Sequence, residues 1–297
     1  MIKIEQKMKK EREKKIKLTL SVRNTNINNT NITPVKKIQL KKECQIPLPK
    51  FSWENPEFIW PQMLEAEKKH KRDAQMFANG RHPTVTPMIR SMLLDWINEV
   101  CQAYSFSRQT YYSAIDYFDR YLSSTNDISK KRIQLIGITC LFIASKMEEI
   151  FPPKIERFAF VCDGACSEED IVLQELVILS KLDWEINPIT PILWLGTYLQ
   201  NYWCGNKENV KTACDGEQYL VPQYPTNLYV QIAHLIDLCV LHSRSLEFDY
   251  SVIAAAALYH FTCLEIVEQV TGMFLLSCNS LLFTNSFLVN FFRKNID

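Results

Sequence analysis

Two segments of this chain are apolar on every side of a helix, and they constrain the fold more than any other feature. The first runs from Ile133 to Ala144, and the second runs from Val252 to Phe261. A helix that is apolar all round must be buried, so each segment needs a shell of outer helices. Because the two lie about 120 residues apart, the sequence predicts two all-α domains of similar topology, each packed around one buried helix.

Helix-start signals surround both segments. Thr86 precedes Pro87 at the start of one amphipathic run, a pattern typical of an N-cap followed by a first-turn proline. Ser167 is followed three residues later by Asp170, which indicates an N-terminal capping box. Pro188 and Pro191 mark a linker and a new helix start, so the second domain is predicted to begin there.

The chain's lead-in is expected to contain one mostly polar helix. Pro61 would interrupt a helix that started at Trp53, so the regular part is predicted to begin near Pro61. From there a thin apolar stripe continues to Phe77, which is typical of a helix lying on a surface rather than in a core.

Charge is unevenly distributed along the chain. Residues 1–45 contain 13 Lys or Arg against 4 Asp or Glu, and the remainder carries 21 against 29. The basic, Asn-rich start has few apolar residues and is expected to be a disordered tail. Its KKEREKK run fits a nuclear import signal and fits a solvated basic arm equally well. The acidic body lacks the overall positive field of a nucleic-acid-binding protein.

Catalytic and metal-binding motifs are not found in this sequence. It contains no phosphate-binding glycine loop, no HExxH and no GxSxG. Cys162 and Cys166 are four residues apart, with no second pair to complete a zinc site. Most of the 10 cysteines lie within apolar helical patterns and are expected to be buried thiols in a reducing compartment. We therefore expect an interaction protein without cofactor, metal or enzymatic activity of its own.

Several strings resemble the cyclin family, and cyclins of the E type in particular. IRSMLLDWINEV resembles the first helix of the cyclin box, and LIGITCLFIASKMEEIFPPK resembles its third helix and the following turn. PLPKFSW, IWPQML, EEIFPPKIERFAFVCDGACSEEDI, VPQYP, QIAHLIDLCVL and AAALYHF suggest the E type. The resemblance implies two tandem cyclin boxes of five helices each, preceded by an N-terminal helix.

The resemblance divides the chain into four parts, with the second box divergent or truncated after residue 272. The predicted parts are the basic tail (1–46), the N-terminal helix and lead-in loop (47–86), the N-terminal cyclin box (87–186) and the C-terminal cyclin box (187–297).

The family resemblance implies a regulatory subunit that binds and activates a cyclin-dependent serine/threonine kinase at the G1/S transition. Lys146 and Glu175 match the family's charged kinase-contacting pair: Lys146 would reach carbonyls at the end of the kinase's helix C, and Glu175 would accept from kinase backbone N–H groups. Met147, Leu179 and Trp184 match the apolar positions around this pair.

The resemblance also implies a docking groove for substrates and inhibitors that carry an Arg-x-Leu segment. The matching positions are Ile89, Leu93, Trp96 and Gln134, with Glu99 at the edge to attract the arginine. Ile89, Leu93 and Trp96 share one helix face by their spacing. Ile89 stands where the family usually has methionine, so the groove is expected to persist with an altered shape.

The likeness ends after Gly272. The next twenty residues carry no charge, and three interpretations stay open: a truncated or alternatively spliced terminus, a buried end of the second box, or a membrane anchor. We favour the truncated terminus and expect no membrane partner. A non-activating cyclin isoform and a cyclin-fold transcription scaffold are the alternative functions. Nuclear location is expected, with cytoplasm and centrosome as further sites.

Overall fold

The computed structural model describes residues 56–70, 72–77, 80–205 and 224–262, with side chains for all of these except 56–60 and 200–205. They belong to one compact unit. These ranges contain helices, turns and loops but no β-strand, which confirms the predicted all-α class. The predicted basic tail (1–46) and the uncharged segment after residue 272 lie outside the described residues.

The described residues form nine α-helices and two short 3₁₀-helices. The α-helices are α1 (Pro56–Lys69), α2 (Pro87–Tyr104), α3 (Arg108–Ser124), α4 (Ile133–Glu148), α5 (Ile155–Val161), α6 (Glu168–Lys181), α7 (Pro191–Gly205), α8 (Thr226–Leu241) and α9 (Tyr250–Phe261). The 3₁₀-helices are Lys130–Arg132 and Ser243–Glu247.

Helix α1 differs from the prediction at both ends. It begins at Pro56 and continues through Pro61, so the expected start near Pro61 is wrong. Pro61 removes a single intrahelical hydrogen bond near the helix start, and the rest of the helix continues past it. The helix ends at Lys69 rather than at Phe77. Asp73 breaks the pattern, because its backbone N–H donates to Ser123 Oγ at 3.0 Å and its carboxylate accepts from the Gln75 N–H at 2.8 Å.

The predicted caps of the first helical group, which consists of α2 to α6 around the central helix α4, are confirmed. Thr86 caps α2 with Pro87 in the first turn. Ser167 and Asp170 form a reciprocal capping box at the start of α6, and the resulting hydrogen bonds lower the pKa of the Asp170 carboxyl. These local signals therefore set where α2 and α6 begin.

The two all-round apolar segments form the central helices. Helix α4 is buried from Ile136 to Ser145 and packs against α3, α6 and α2. Helix α9 is buried along most of its length and packs against α7 and α8. The predicted architecture of a buried helix within each group is therefore confirmed for the described residues.

A buried arginine joins the first helical group to the second, which consists of α7 to α9. Arg90 on α2 is almost completely buried and donates two hydrogen bonds of 2.7 Å to the Asp119 carboxylate on α3. Its third contact is a 2.8 Å hydrogen bond to the Val240 carbonyl at the end of α8. Burial alone would lower the pKa of Arg90, but attraction to Asp119 outweighs it and raises that pKa. Arg90 thus donates a hydrogen bond to a carbonyl of the second group, while Asp119 of the first group neutralises its charge.

The described residues also show the state of the cysteines and the character of the longer helices. Five cysteines there, Cys101, Cys140, Cys162, Cys166 and Cys239, are buried free thiols. Burial raises the pKa of Cys101 to about 12, so this thiol stays protonated near neutral pH. Among the described helices, none has the length and apolar character needed to cross a bilayer.

Candidate functional site

The predicted charged pair comes together at the surface between α4 and α6. Lys146, in the last turn of α4, forms an ion pair with Glu175 of α6. The Lys146 ammonium also lies 4.3 Å from the centre of the Phe142 ring. Lys146 at a helix C-terminus is favoured by the helix dipole. The Lys146 side chain is 40% exposed and the Glu175 side chain is 14% exposed, so the ammonium is accessible to a partner and the carboxylate is partly accessible.

Trp184 follows α6 in an unusual backbone conformation. Asp183 and Trp184 have φ angles of 52° and 59°, in the left-handed region. The Trp184 N–H donates to the Leu179 carbonyl at 3.0 Å and the Asp183 N–H donates to the Ser180 carbonyl at 3.4 Å. This is the Schellman motif, which usually has glycine at the position of Asp183. It leaves Trp184 63% exposed at the end of α6.

Met147 and Leu179 have different environments. Met147 is exposed next to Lys146, whereas Leu179 is only 7% exposed and belongs to the core. Of the five predicted kinase-contacting residues, Lys146, Glu175, Met147 and Trp184 therefore have accessible side-chain atoms, and Leu179 lies mostly beneath them.

Helix α6 carries an exposed apolar stripe that was not predicted from the sequence. It consists of Val172, Leu173, Leu176 and Val177, which are 44–66% exposed. The core face of α6 is already supplied by Ile171, Gln174, Ile178 and Leu179. The signal in the sequence is an excess: DIVLQELVILSKL has more large apolar residues than one buried face can hold. Such a stripe on a soluble protein marks an interaction surface.

More exposed apolar side chains lie on the segments next to α6. Ile150 and Phe151 follow α4 and are almost fully exposed, and Phe160 on α5 is largely exposed. Helix α5 packs against both α4 and α6. We call the α6 stripe and the Lys146–Glu175 pair the α6 surface.

The predicted docking residues lie on α2 and α4. Ile89 and Trp96 are half-buried against the core, and Glu99 and Gln134 are half-buried as well. Helix α2, which carries Ile89, Leu93, Trp96 and Glu99, packs against α4, which carries Gln134. The arrangement gives a partly covered apolar face with two polar residues.

Leu93 lies in the seam between α2 and α4 and is 7% exposed. A Cβ atom added to Gly137 of α4 would come within 2.9 Å of both Leu93 methyl groups. Glycine at this position therefore allows the close approach of the two helices. The docking role of these residues stays a prediction.

One known sequence family matches the part of the chain that contains the predicted site residues. The sequence model of the family described as "Cyclin, N-terminal domain" matches residues 58–187. This range covers α1 to α6, which together contain both groups of predicted site residues. The chain belongs to the cyclin family. Within the described ranges of this cyclin, no three His, Cys, Asp or Glu residues are grouped so that they could hold a metal ion.

Curated relatives extend the match beyond the first box. This cyclin is 45% identical over 227 residues to G1/S-specific cyclin-E1 of Danio rerio, covering 76% of this chain and 53% of the relative. It is 47% identical over 226 residues to cyclin-E1 of Mus musculus, covering 76% and 53%. It is 41% identical over 236 residues to cyclin-E of Drosophila melanogaster, covering 77% and 33%. The chain thus spans about half the length, or less, of these relatives.

A solved structure agrees with the fold of this cyclin. The X-ray structure of a viral cyclin from herpesvirus saimiri superposes with a TM-score of 0.60 at 17% identity, covering 78% of this chain and 96% of the viral one. The likeness supports a cyclin fold, which agrees with the arrangement of helices around α4 and α9.

Proposed function

We propose that this cyclin is the regulatory subunit of a cyclin-dependent serine/threonine kinase and acts at the G1/S transition. The observation that carries the proposal is the α6 surface: an exposed apolar stripe beside the Lys146–Glu175 pair. The relatives named as G1/S-specific cyclins support the timing.

The composition of the α6 surface suits a helix of a partner protein. Burying apolar area contributes about 25 cal/mol per Å², so four large exposed side chains favour an apolar partner surface. At the edge, the Lys146 ammonium can donate to unpaired carbonyls at the end of a helix, and Glu175 can accept from backbone N–H groups. Both groups would exchange their mutual contact for bonds to the partner, which makes the pair a specificity element rather than a source of stability.

Activation would follow from preferential binding to one kinase conformation. A protein kinase is active when its helix C is positioned inward and its Lys–Glu ion pair is formed. If the α6 surface binds the inward position of helix C more tightly than the outward one, it shifts the kinase population towards the active state by that difference in affinity. This cyclin needs no catalytic residues of its own for such a role.

The direct test is to mix the purified full chain with a monomeric cyclin-dependent kinase and to measure binding and histone phosphorylation. We expect Leu173→Glu combined with Leu176→Glu to weaken binding by at least about tenfold, because two charges would be buried in an apolar contact. Leu238→Glu, at a similarly exposed leucine on α8, is the matched control and should bind normally. Equal binding of both variants would contradict the proposal.

A second pair of substitutions separates binding from activation. Lys146→Ala combined with Glu175→Ala should reduce activation while the fold is retained. If the unmodified chain binds the kinase but does not activate it, the chain is a non-activating form instead. If it does not bind at all and residues 46–297 bind DNA in a salt-sensitive manner, the transcription-scaffold alternative is favoured.

We also propose that Ile89, Leu93, Trp96, Gln134 and Glu99 recruit substrates and inhibitors that contain Arg-x-Leu. The half-buried face of α2 offers apolar contacts for the leucine, and Glu99 offers a charge for the arginine. Trp96→Ala should slow phosphorylation of a protein substrate that carries the motif and should leave a short peptide without it unaffected. Equal loss for both substrates would indicate damage to the fold rather than to docking.

Nuclear location is part of the proposal as well, and it rests on the basic KKEREKK run near the N-terminus. Replacing the lysines and arginine of this run with glutamine in a fluorescent fusion tests the idea. Retention of nuclear fluorescence in that variant would contradict a role for the run as an import signal.

A further inference from the structure

A cavity of about 220 Å³ lies where α1, α3 and the segment entering α9 meet. Its lining residues are Glu67, His70, Arg72, Ala74, Asp116, Ile189, Leu246, Glu247, Phe248, Asp249 and Tyr250. Cavities of about 150 Å³ accommodate a six-membered ring in other proteins, so this one is large enough for a small organic molecule.

Three buried polar atoms of the cavity lining have no hydrogen-bond partner among the described residues. They are Asp116 Oδ1, His70 Nδ1 and the Tyr250 hydroxyl. Asp116 is completely buried and Tyr250 is 3% exposed. Buried polar groups in folded proteins are almost always paired, and three unpaired groups around one cavity are therefore unusual. A polar molecule bound in this cavity can supply the missing partners.

The cavity lining contains more carboxyl groups than basic groups. Glu247 and Asp249 are exposed at the surface, and Asp116 lies buried inside. Four lining residues carry a carboxyl group and one carries a guanidinium. That guanidinium, of Arg72, already donates to the Phe248 carbonyl at 2.8 Å and lies 3.7 Å above the Tyr250 ring. Arg120 also donates to Asp116 Oδ2 at 3.0 Å, and Arg244 lies 3.7 Å from Glu247, so the four carboxyl groups outnumber the three nearby guanidinium groups by one. This excess of negative charge favours a positively charged occupant.

The unpaired atoms also define the hydrogen bonds that an occupant must make. Asp116 Oδ1 is an acceptor when the carboxyl is ionised. His70 Nε2 lies 3.7 Å from Glu185 Oε2, which favours the proton on Nε2 and leaves Nδ1 as an acceptor. The Tyr250 hydroxyl can donate or accept. An occupant with several N–H donors would satisfy all three atoms.

We propose that this cavity binds a small organic cation with several N–H donors, of the guanidinium or amidinium class. Its donors would bond Asp116 Oδ1 and His70 Nδ1, and the Tyr250 hydroxyl would contribute a third bond. None of the residues of the α6 surface lines this cavity, so its occupancy can be measured without a kinase. Because it joins α1, α3 and the start of α9, an occupant would stabilise the arrangement of the two helical groups.

The test is a titration of the full chain with methylguanidinium at constant ionic strength, followed by calorimetry and by the thermal unfolding midpoint. Tetramethylammonium has the same charge without donors, and acetamide has donors without the charge. We expect saturable binding of methylguanidinium with a dissociation constant of about 1 mM, a raised midpoint, and weaker binding of the two other probes.

Two substitutions locate the site. Asp116→Asn should weaken methylguanidinium binding at least about tenfold, and Tyr250→Phe about fivefold, as expected for losing a charged and a neutral hydrogen bond. Tyr111→Phe is the matched control, because Tyr111 is a buried tyrosine of α3 that does not line the cavity. Its binding should equal that of the unmodified chain.

Several outcomes would overturn the proposal. They are no saturable binding up to about 50 mM, equal responses to methylguanidinium and tetramethylammonium, equal affinity for acetamide, or equal affinities of the Tyr250→Phe and Tyr111→Phe variants. Should Asp116→Asn fail to fold, the comparison of the two tyrosine variants decides the question, since Tyr250→Phe removes only an unpaired hydroxyl.

Discussion

The central helices α4 and α9 are both buried, yet they are built from different side chains. In α4 the buried positions carry large residues such as Leu141 and Phe142, whereas α9 has four consecutive, completely buried alanines from Ala254 to Ala257. Helix α7, which packs against α9, supplies Trp194 and Tyr198, whose rings lie 5.6 Å apart. Core volume is therefore distributed between neighbouring helices, and a central helix of small residues requires large residues on the helix beside it.

The two groups differ in buried charge as well. Helix α3, packed on α4, buries Asp116, Asp119 and Arg120. The described side chains of α7, which occupies the equivalent place beside α9, include no buried charged residue. The first group therefore combines its apolar core with a polar network, whereas the second depends on apolar packing. Substitutions in the two groups should therefore affect stability in different ways.

Removing a large side chain next to the four alanines of α9 should have the largest effect on stability. Trp194→Ala is expected to lower the free energy of unfolding by about 3–5 kcal/mol, because the four consecutive alanines of α9 are too small to fill the resulting cavity. The indole N–H also donates to Glu67 at 3.0 Å, and that bond would be lost. Chemical denaturation measures the effect, with Leu193→Ala as the exposed neighbouring control. A loss below about 1 kcal/mol would show that apolar packing around α9 is not limiting.

Buried charge should make the first group sensitive to pH. Burial raises the pKa of Asp116 to about 6 from 3.8, although attraction to Arg120 opposes this. Between these values the folded protein binds more protons than the unfolded chain, so the free energy of unfolding should fall as pH rises from about 4 to about 6. The contribution amounts to roughly 3 kcal/mol at most. Urea denaturation across this range should show a smaller decline for Asp116→Asn. Parallel curves would refute the assignment.

Enlarging one alanine of α9 should have the smallest effect on stability of these three substitutions. Ala255→Val is expected to cost about 1–3 kcal/mol, because two methyl groups must be accommodated between α9 and its neighbours. Ala103→Val, at an exposed position of α2, reports the intrinsic cost of valine in a helix. If both substitutions have the same effect on the thermal unfolding midpoint, α9 is less tightly packed than its burial indicates.

Local signals account for the parts of the fold that could be predicted. The caps at Thr86 and Ser167 depend on hydrogen bonds between residues three apart, so they can be recognised in the sequence. The central helices could be recognised because an all-round apolar pattern leaves no polar face for solvent. The candidate kinase-binding pair, Lys146 and Glu175, was predicted from the family resemblance, and the ion pair between them is seen only in the folded chain.

Features that depend on distant partners could not be predicted in the same way. Helix α1 ends at Lys69, and shortly after it the Asp73 N–H donates to Ser123, which is 50 residues away in the sequence. Glu67 on the mostly polar α1 is buried because it accepts from the Ser251 N–H at the start of α9, at 2.8 Å. Neither contact can be predicted from the residues that neighbour Asp73 or Glu67 in the sequence.

The helical class, the two buried central helices and the starts of several others can be recognised in the sequence, because periodicity and capping act within a few residues. The exposed face of α6, the contacts of Arg90 with both groups and the position of the polar cavity depend on tertiary packing. These features arise from competition among apolar faces for a limited core and among polar groups for buried partners. That competition is settled only when segments distant in sequence pack together.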